Sequence, residues 1–209
     1  RAMDQVYLQL VDERVGIVKL LTPPFDGEGT DPGYIRGYLP GVRENGGQYT
    51  HAACWVVMAL AKLGQTQRAY RVMDMLLPSR HADSEEKAAR YRVEPYVVAA
   101  DVYGEGVLTG RGGWTWYTGA AAWLNRVAVY ELAGLEKRGS RVRLNALMPK
   151  EWDQMELRLR WGRSEYHLMA QRDAARAQLD GQPMADGWVE LIDDGRRHQA
   201  VFPPRPGEG

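Results

Sequence analysis

Between Gly41 and Ala53 the chain reads Gly-Val-Arg-Glu-Asn-Gly-Gly-Gln-Tyr-Thr-His-Ala-Ala, so a guanidinium, a carboxylate, two amides, paired glycines and an imidazole fall close together. An apolar helical stretch, Cys54 to Leu63, follows at once. Loop glycines let the backbone approach a ligand closely, and a helix start presents unpaired N–H groups and positive potential to an anion. Arg43, Glu44 and His51 are therefore candidates for holding a polar, anionic ligand. A second glycine-rich loop, Gly104 to Gly113, delivers Trp114-Thr115-Trp116-Tyr117-Thr118-Gly119 to the start of another apolar helix. Imidazole, hydroxyl, backbone N–H and guanidinium from His51, Thr118 and Arg43 make the donor set a phosphate needs.

Each of these residues has a plainer role open to it. His51 and Thr118 can be helix caps. Glu44 can pair with Arg43 or Arg36, and Arg111 can brace its loop against a carboxylate. Tyr49, Trp114, Trp116 and Tyr117 can stack on sugar faces or simply be buried. What favours chemistry is the shared context, a glycine-rich loop running into a helix start at both places. No metal site is expected: His81 and His198 are isolated from other ligand types, and the four histidines and one cysteine show no ligand spacing. Neither a P-loop nor a dinucleotide fingerprint is present, so no cofactor is expected either. Cys54 reads as a small buried hydrophobe.

Composition narrows the class further. Lys plus Arg balances Asp plus Glu at 27 each, which leaves no charge field to recruit nucleic acid or an acidic membrane. The hydrophobic fraction of 44% is that of a globular chain, and seven Trp and eleven Tyr against two Phe favour aromatics with a polar edge. A single cysteine excludes an internal disulfide and fits a reducing compartment. No run reaches the roughly 18 apolar residues a membrane helix needs. The chain opens on Arg1, which reads as a piece of something longer.

The elements that must position these residues follow from periodicity. Val6, Leu10 and Val11 give a helix over 4–15, ended before Pro23-Pro24. Residues 22–47 hold seven glycines and four prolines, yet carry Tyr34, Ile35, Tyr38, Leu39 and Val42, so they read as an ordered functional loop. Helices are expected from Thr50 to Leu63, with a buried stripe of Ala53, Val56, Val57, Leu60 and Leu63, and from Thr66 to Leu77. A short charged helix at 84–90 leads to an extended 94–98, and a long apolar helix ends near Gly134. After Gly139 the period becomes two: Met155, Leu157, Leu159 and Trp161 alternate with charged residues. Turns at Gly162-Arg163, Asp180-Gly181 and Asp194-Gly195 read as hairpins. The expected architecture is α+β with domains at 1–139 and 140–202, the second a small antiparallel β domain, and a disordered tail at 203–209.

The stretches Leu20–Asp26, Gly37–His51, Glu94–Tyr103 and Gly110–Gly119 together resemble the C-terminal part of glycoside hydrolase family 94, the inverting disaccharide and oligosaccharide phosphorylases. The closest likeness is to the branch acting on β-1,2-glucans, which includes the phosphorylase-like region of cyclic β-1,2-glucan synthases. The resemblance implies that 1–139 is the C-terminal part of an (α/α)₆ barrel. It places His51, Thr118 and Gly119 at phosphate and Arg43 and Glu44 at the sugar on the leaving-group side. It implies phosphorolysis of a β-glucoside to an α-sugar 1-phosphate, with inorganic phosphate as co-substrate.

The resemblance also implies that the proton-donating aspartate lies N-terminal to Arg1, so no catalytic acid is expected here and the piece alone is expected to be inactive. Asp26, Asp31 and Asp101 belong to other motifs. Expected partners are a β-glucan oligosaccharide, phosphate and the rest of the same chain, with a homodimer left open. The expected location is the cytoplasm, or the cytoplasmic face of the inner membrane for a synthase. A hydrolase on the same barrel, or a region that binds glucan and sets chain length without cleaving it, are the alternatives left open.

Overall fold

The structure is a computed structural model and describes residues 1–206 except Glu28, Thr30, Tyr117 and Thr118. The chain divides into two compact units, one formed by 1–60 and 68–127, the other by 61–67 and 128–209. It is α+β, as the change of period implies.

Helix α1 (Ala2–Leu10) passes directly into the short antiparallel pair β1 (Val11–Asp12) and β2 (Ile17–Val18). The strand pair takes over residues 11–15 of the expected helix because Asp12 Oδ1 accepts from the amides of Arg14 and Val15, closing a tight turn. The long glycine- and proline-rich segment contains a 3₁₀ turn at Gly33–Gly37 and ends in β3 (Gln48–Tyr49). Helix α2 (Thr50–Lys62) follows without a break, then α3 (Thr66–Leu76) after a turn at Gly64. Ala53, Val57 and Leu60 of the expected stripe are buried, whereas Leu63 is exposed.

Pro78 opens a 3₁₀ turn to His81, and Ser84 caps α4 (Glu85–Tyr91) by accepting from the Lys87 amide. The expected extended stretch 94–98 is instead a turn, closed by Val97 N–H donating to the Glu94 carbonyl. Strand β4 (Asp101–Val102) pairs antiparallel with β3, Tyr49 opposite Asp101. Helix α5 (Ala120–Arg126) continues as a π-helical stretch over Val127–Leu132. Ile17, Tyr91, Ala99 and Val102 form one buried cluster of this unit.

In the second unit β5 (Leu135–Arg138) and β6 (Arg141–Leu144) turn at Gly139, and β7 (Gln154–Trp161) and β8 (Ser164–Gln171) pair over their full length. Strands β9 (Gln178–Leu179) and β10 (Gln182–Pro183) meet at Asp180-Gly181, both with positive φ, as a two-residue hairpin requires. Strand β11 (Val189–Glu190) pairs with β6, while β12 (Arg197–Phe202) lies between β9 and β8.

Two expectations are corrected here. The Asp194-Gly195 turn joins no hairpin, since the strand before it pairs elsewhere. The five-stranded sheet, β10-β9-β12-β8-β7, is not purely antiparallel either, because β12 runs parallel to β8. Residues 172–196 separate those strands, enough chain for the crossover that parallel pairing demands. Tyr166, Leu168, Ala170, Ala200 and Phe202 build the core with Val142, Leu144 and Val189. Of the expected tail, 207–209 lie outside the described residues. The Arg205 amide donates to the Ala146 carbonyl at 2.8 Å and its guanidinium bonds the Ala61 carbonyl.

Candidate functional site

The β3–β4 ladder brings two glycine-rich loops together across fifty residues of sequence. The Thr50 amide donates to the Ala100 carbonyl (2.9 Å), Ala100 N–H to Trp114 O (2.6 Å), and Gly104 N–H to Gly41 O (2.7 Å). Side-chain-free positions make this approach possible. A Cβ on Gly104 would lie 2.2 Å from the Gly46 carbonyl oxygen, and one on Gly113 would lie 2.3 Å from the Asp101 carboxylate.

Asn45, fully buried, acts inside this loop rather than toward a ligand. Its Oδ1 accepts from Phe25 N–H (2.7 Å), and its Nδ2 donates to the Phe25 and Tyr38 carbonyls (2.8 and 2.9 Å). Gln48 Oε1 accepts from the Val18 amide at 2.9 Å and ties the loop to β2. With these amides spent on the backbone and, for Gln48 Nε2, on the Thr50 hydroxyl, the side chains left for chemistry are those of Arg43, Glu44 and His51.

Arg43 has φ +49, a left-handed conformation held by Gly47 N–H donating to its carbonyl. Its guanidinium lies between two rings, 5.2 Å from the Trp114 centroid and 5.7 Å from that of Tyr38. Arg43 Nε and Glu44 Oε2 stand 3.8 Å apart, an ion pair longer than a hydrogen bond, and both atoms are buried with no hydrogen-bond partner among the described residues. His51 sits in the first turn of α2, inside an aromatic box: Trp55 meets it edge-on at 4.9 Å, Trp123 stacks on it at 5.2 Å, and Tyr49 lies beyond at 6.3 Å. Its Nε2 is buried and likewise unpartnered. Buried polar atoms without partners are rare, and two of the residues that carry them, Arg43 and His51, line one hollow.

That hollow holds about 380 Å³ and is lined by Arg43, Tyr49, His51, Trp114 and Gly119. The structure thus brings together Arg43, His51 and Gly119 of the expected site residues, with Glu44 paired to Arg43 behind them. Thr118 lies outside the described residues. Gly119 is the residue before α5 and receives no side-chain cap.

Sequence reasoning missed three contributors. Trp55 is one helical turn from His51, a spacing that could have announced it. Trp123 comes from a distant helix, with no sequence signal. Asp101 is 1% exposed, and burial raises its carboxyl above the ordinary value, opposed by the Trp114 amide at 3.2 Å and by the charge of Arg43. It fastens the Trp114 loop rather than facing the hollow's lining. Burial likewise pushes the Cys54 thiol up to about 12, an inert thiol rather than a nucleophile. Among the described residues no group of His, Cys, Asp or Glu is arranged to hold a metal ion, and no helix is long and apolar enough to cross a membrane.

An unpaired imidazole nitrogen beside aromatic walls, with an Arg–Glu pair to meet hydroxyls, suits a polyhydroxylated ligand together with an oxyanion. Residues 1–134 match the family model described as the glycosyl hydrolase 94 superfamily, catalytic domain, and the chain belongs to this family.

Cyclic beta-(1,2)-glucan synthase NdvB of Rhizobium meliloti (strain 1021) is 51% identical over 174 residues, 83% of this chain and 6% of that protein. Solabiose phosphorylase of Paenibacillus borealis is 24% identical over 85% of the chain and 24% of its own length. N,N'-diacetylchitobiose phosphorylase of Vibrio proteolyticus is 27% identical over 73% and 19%. The chain therefore spans less than a quarter of the length of each of these relatives.

Proposed function

We propose that this chain is the C-terminal part of an inverting β-1,2-glucan phosphorylase module within a cyclic β-1,2-glucan synthase, and that its helices supply part of an (α/α)₆ barrel. The observation that carries the reading is the buried, unpartnered Nε2 of His51 in the hollow that Arg43 and Gly119 also line. The likeness to a named β-1,2-glucan synthase, and to two phosphorylases of the same family, supports the substrate class and the reaction.

In this reading His51 Nε2–H, together with Thr118 and Gly119, holds inorganic phosphate beneath the anomeric carbon. One phosphate oxygen bonds to that carbon as the β-glycosidic C–O bond breaks on the opposite side. The leaving oxygen takes a proton from an aspartic acid that the family places N-terminal to Arg1. Inversion converts the β-linkage into α-glucose 1-phosphate. A hydrolase would need a second carboxylate to activate water; phosphate is already an anionic nucleophile, so the module's task is positioning and charge neutralisation. Arg43 Nε donates to, and Glu44 Oε2 accepts from, hydroxyls of the leaving sugar, satisfying both buried atoms.

The test is release of α-glucose 1-phosphate from β-1,2-oligoglucans by the full-length parent beside its His51→Ala variant. We expect release to require phosphate and the variant to need about tenfold to a hundredfold more of it, the loss of one charge-assisted hydrogen bond. An unaltered phosphate requirement in the variant removes His51 from the phosphate site. Free glucose released without phosphate identifies a hydrolase instead.

A further inference from the structure

Apart from the candidate pocket, the same unit carries a second hollow of about 220 Å³. It is bounded by the Glu13–Gly16 turn, the last turn of α3, the 3₁₀ turn ending at His81, and α4. Five cationic side chains line it, Arg14, Arg71, Arg80, Lys87 and Arg90, against the carboxylates of Glu13, Asp74 and Asp83, an excess of two positive charges.

Most of these cations are engaged, but weakly. Arg71 pairs with Glu13 at 3.3 Å, Arg80 with Asp74, Lys87 with Asp83 and Arg90 with Glu86, the last three at 2.7 Å. All are exposed pairs, which contribute little and exchange readily. The Arg14 guanidinium has no ion-pair partner among the described residues.

The second observation is His81. Its side chain lines the hollow yet is only 8% exposed, stacked on the Tyr91 ring at 4.9 Å and 15°. Its Nε2 is buried without a hydrogen-bond partner. A Cβ built on Gly16, which also lines the hollow, would come within 3.8 Å of Cε1, so that edge of the ring faces the turn. Burial, with help from Lys87, holds the imidazole below its ordinary value, against the Met75 backbone and Asp83. A buried imidazole whose Nε2 has no partner among the described residues, on a cation-rich hollow, lacks one thing, an anion to accept from that nitrogen.

We propose that this hollow binds a phosphate-type oxyanion, as free phosphate or a phosphate monoester, with Nε2–H of His81 donating from the floor and Arg14 and Arg80 closing over it from the rim. The bound anion favours the protonated ring, so binding raises the pKa of His81. The site is separate from the His51 pocket and does not depend on the function proposed for it.

The test uses the chain with labelled histidines, read by the ring resonances of its four His during titration with inorganic phosphate, with glucose 1-phosphate and, at matched ionic strength, with sodium chloride. Either phosphate species is expected to move the His81 resonances and raise its pKa. Arg14→Ala and Arg80→Ala should each weaken that response about tenfold while leaving the response of His51 in place. A response of both phosphates assigns the site to the shared phosphate group, and a response of glucose 1-phosphate alone assigns it to the monoester. An equal response to chloride, or an unmoved His81 at phosphate levels that shift His51, overturns the inference. A responding His81 beside an unmoved His51 leaves this site standing independently of the proposed phosphate pocket, which is tested in the full-length parent.

Discussion

Two neighbours in one loop, Arg43 and Asn45, do opposite work. Asn45 spends every polar atom on backbone, so Asn45→Ala strands the Phe25 amide and two carbonyls and should cost roughly 2–4 kcal/mol. Thermal unfolding checks this, and a drop no larger than that of an exposed Asn→Ala control would refute the account. Arg43 keeps its Nε free of hydrogen bonds and its guanidinium between two rings. Lysine carries the charge but neither the planar stack nor the fork. Arg43→Lys should therefore leave folding intact and weaken oligosaccharide affinity by about tenfold, since the stacking is worth on the order of 1–2 kcal/mol. Measured as KM for the glucan in the parent enzyme, an unchanged value would show that Arg43 only braces its loop. Arg43, Glu44 and His51 could all be picked out as residue types on a glycine-rich loop. The aromatic box could not, because Trp123 reaches His51 through tertiary packing that local sequence does not encode.

At the level of elements, the same contrast separates what periodicity shows from what pairing decides. Alternation along β7 and the apolar stripe of α2 are local patterns; the first emerges at the expected residues and the second at Ala53, Val57 and Leu60 but not at the exposed Leu63, because a buried face imposes its own period. The β3–β4 ladder, two residues on each side and some fifty residues apart, has no such signature. Neither does the parallel β12–β8 pair, where composition alone suggested hairpins throughout. Hairpin signals at Gly162 and Asp180-Gly181 were legible because their turns require positive φ. Asp194-Gly195 carries the same signal without joining paired strands.

The short ladder makes a sharp prediction of its own. Gly113 lies against the Asp101 carboxylate, which the Trp114 amide pins in place, so the added methyl of Gly113→Ala has no yielding neighbour. The substitution should destabilise by about 1–3 kcal/mol and displace Trp114 from Arg43, which the indole fluorescence would register. Gly119→Ala, whose Cβ meets nothing within 4 Å, is the control that should leave both stability and fluorescence unchanged.

Across the whole molecule the two units carry imidazoles tuned in opposite directions, His81 buried and His198 half-buried. In the β-rich unit His198 is held between carboxylates, Nδ1 at 2.8 Å from Asp180 and Nε2 at 3.2 Å from Asp194, and its ring stacks on Tyr166 at 4.8 Å. The Asp180 contact above all raises its pKa, and Asp194, held first by the Arg196 amide, is lowered to about 2. A raised histidine contributes stability that is complete below its unfolded value of 6.5 and is lost as pH climbs through the folded one. The lowered Asp194 contributes above 3.8 and loses that contribution as pH falls through its folded value. The clamp is therefore strongest between those two unfolded values.

His81 in the other unit runs the opposite way. Its folded pKa is depressed, so the unfolded chain binds the extra proton and stability falls as pH drops below 6.5. Amide hydrogen exchange, which reports each unit separately, should show protection of the β-rich unit declining as pH rises above 6.5 through the raised pKa of His198. Protection around His81 should instead decline as pH falls below 6.5, the unfolded value from which its folded pKa is depressed. His198→Gln should flatten the first trend and spare the second, and His81→Gln should do the converse. If both units moved together with pH, or either variant abolished both trends, the titrations would belong to a single cooperative body and not to two locally tuned histidines.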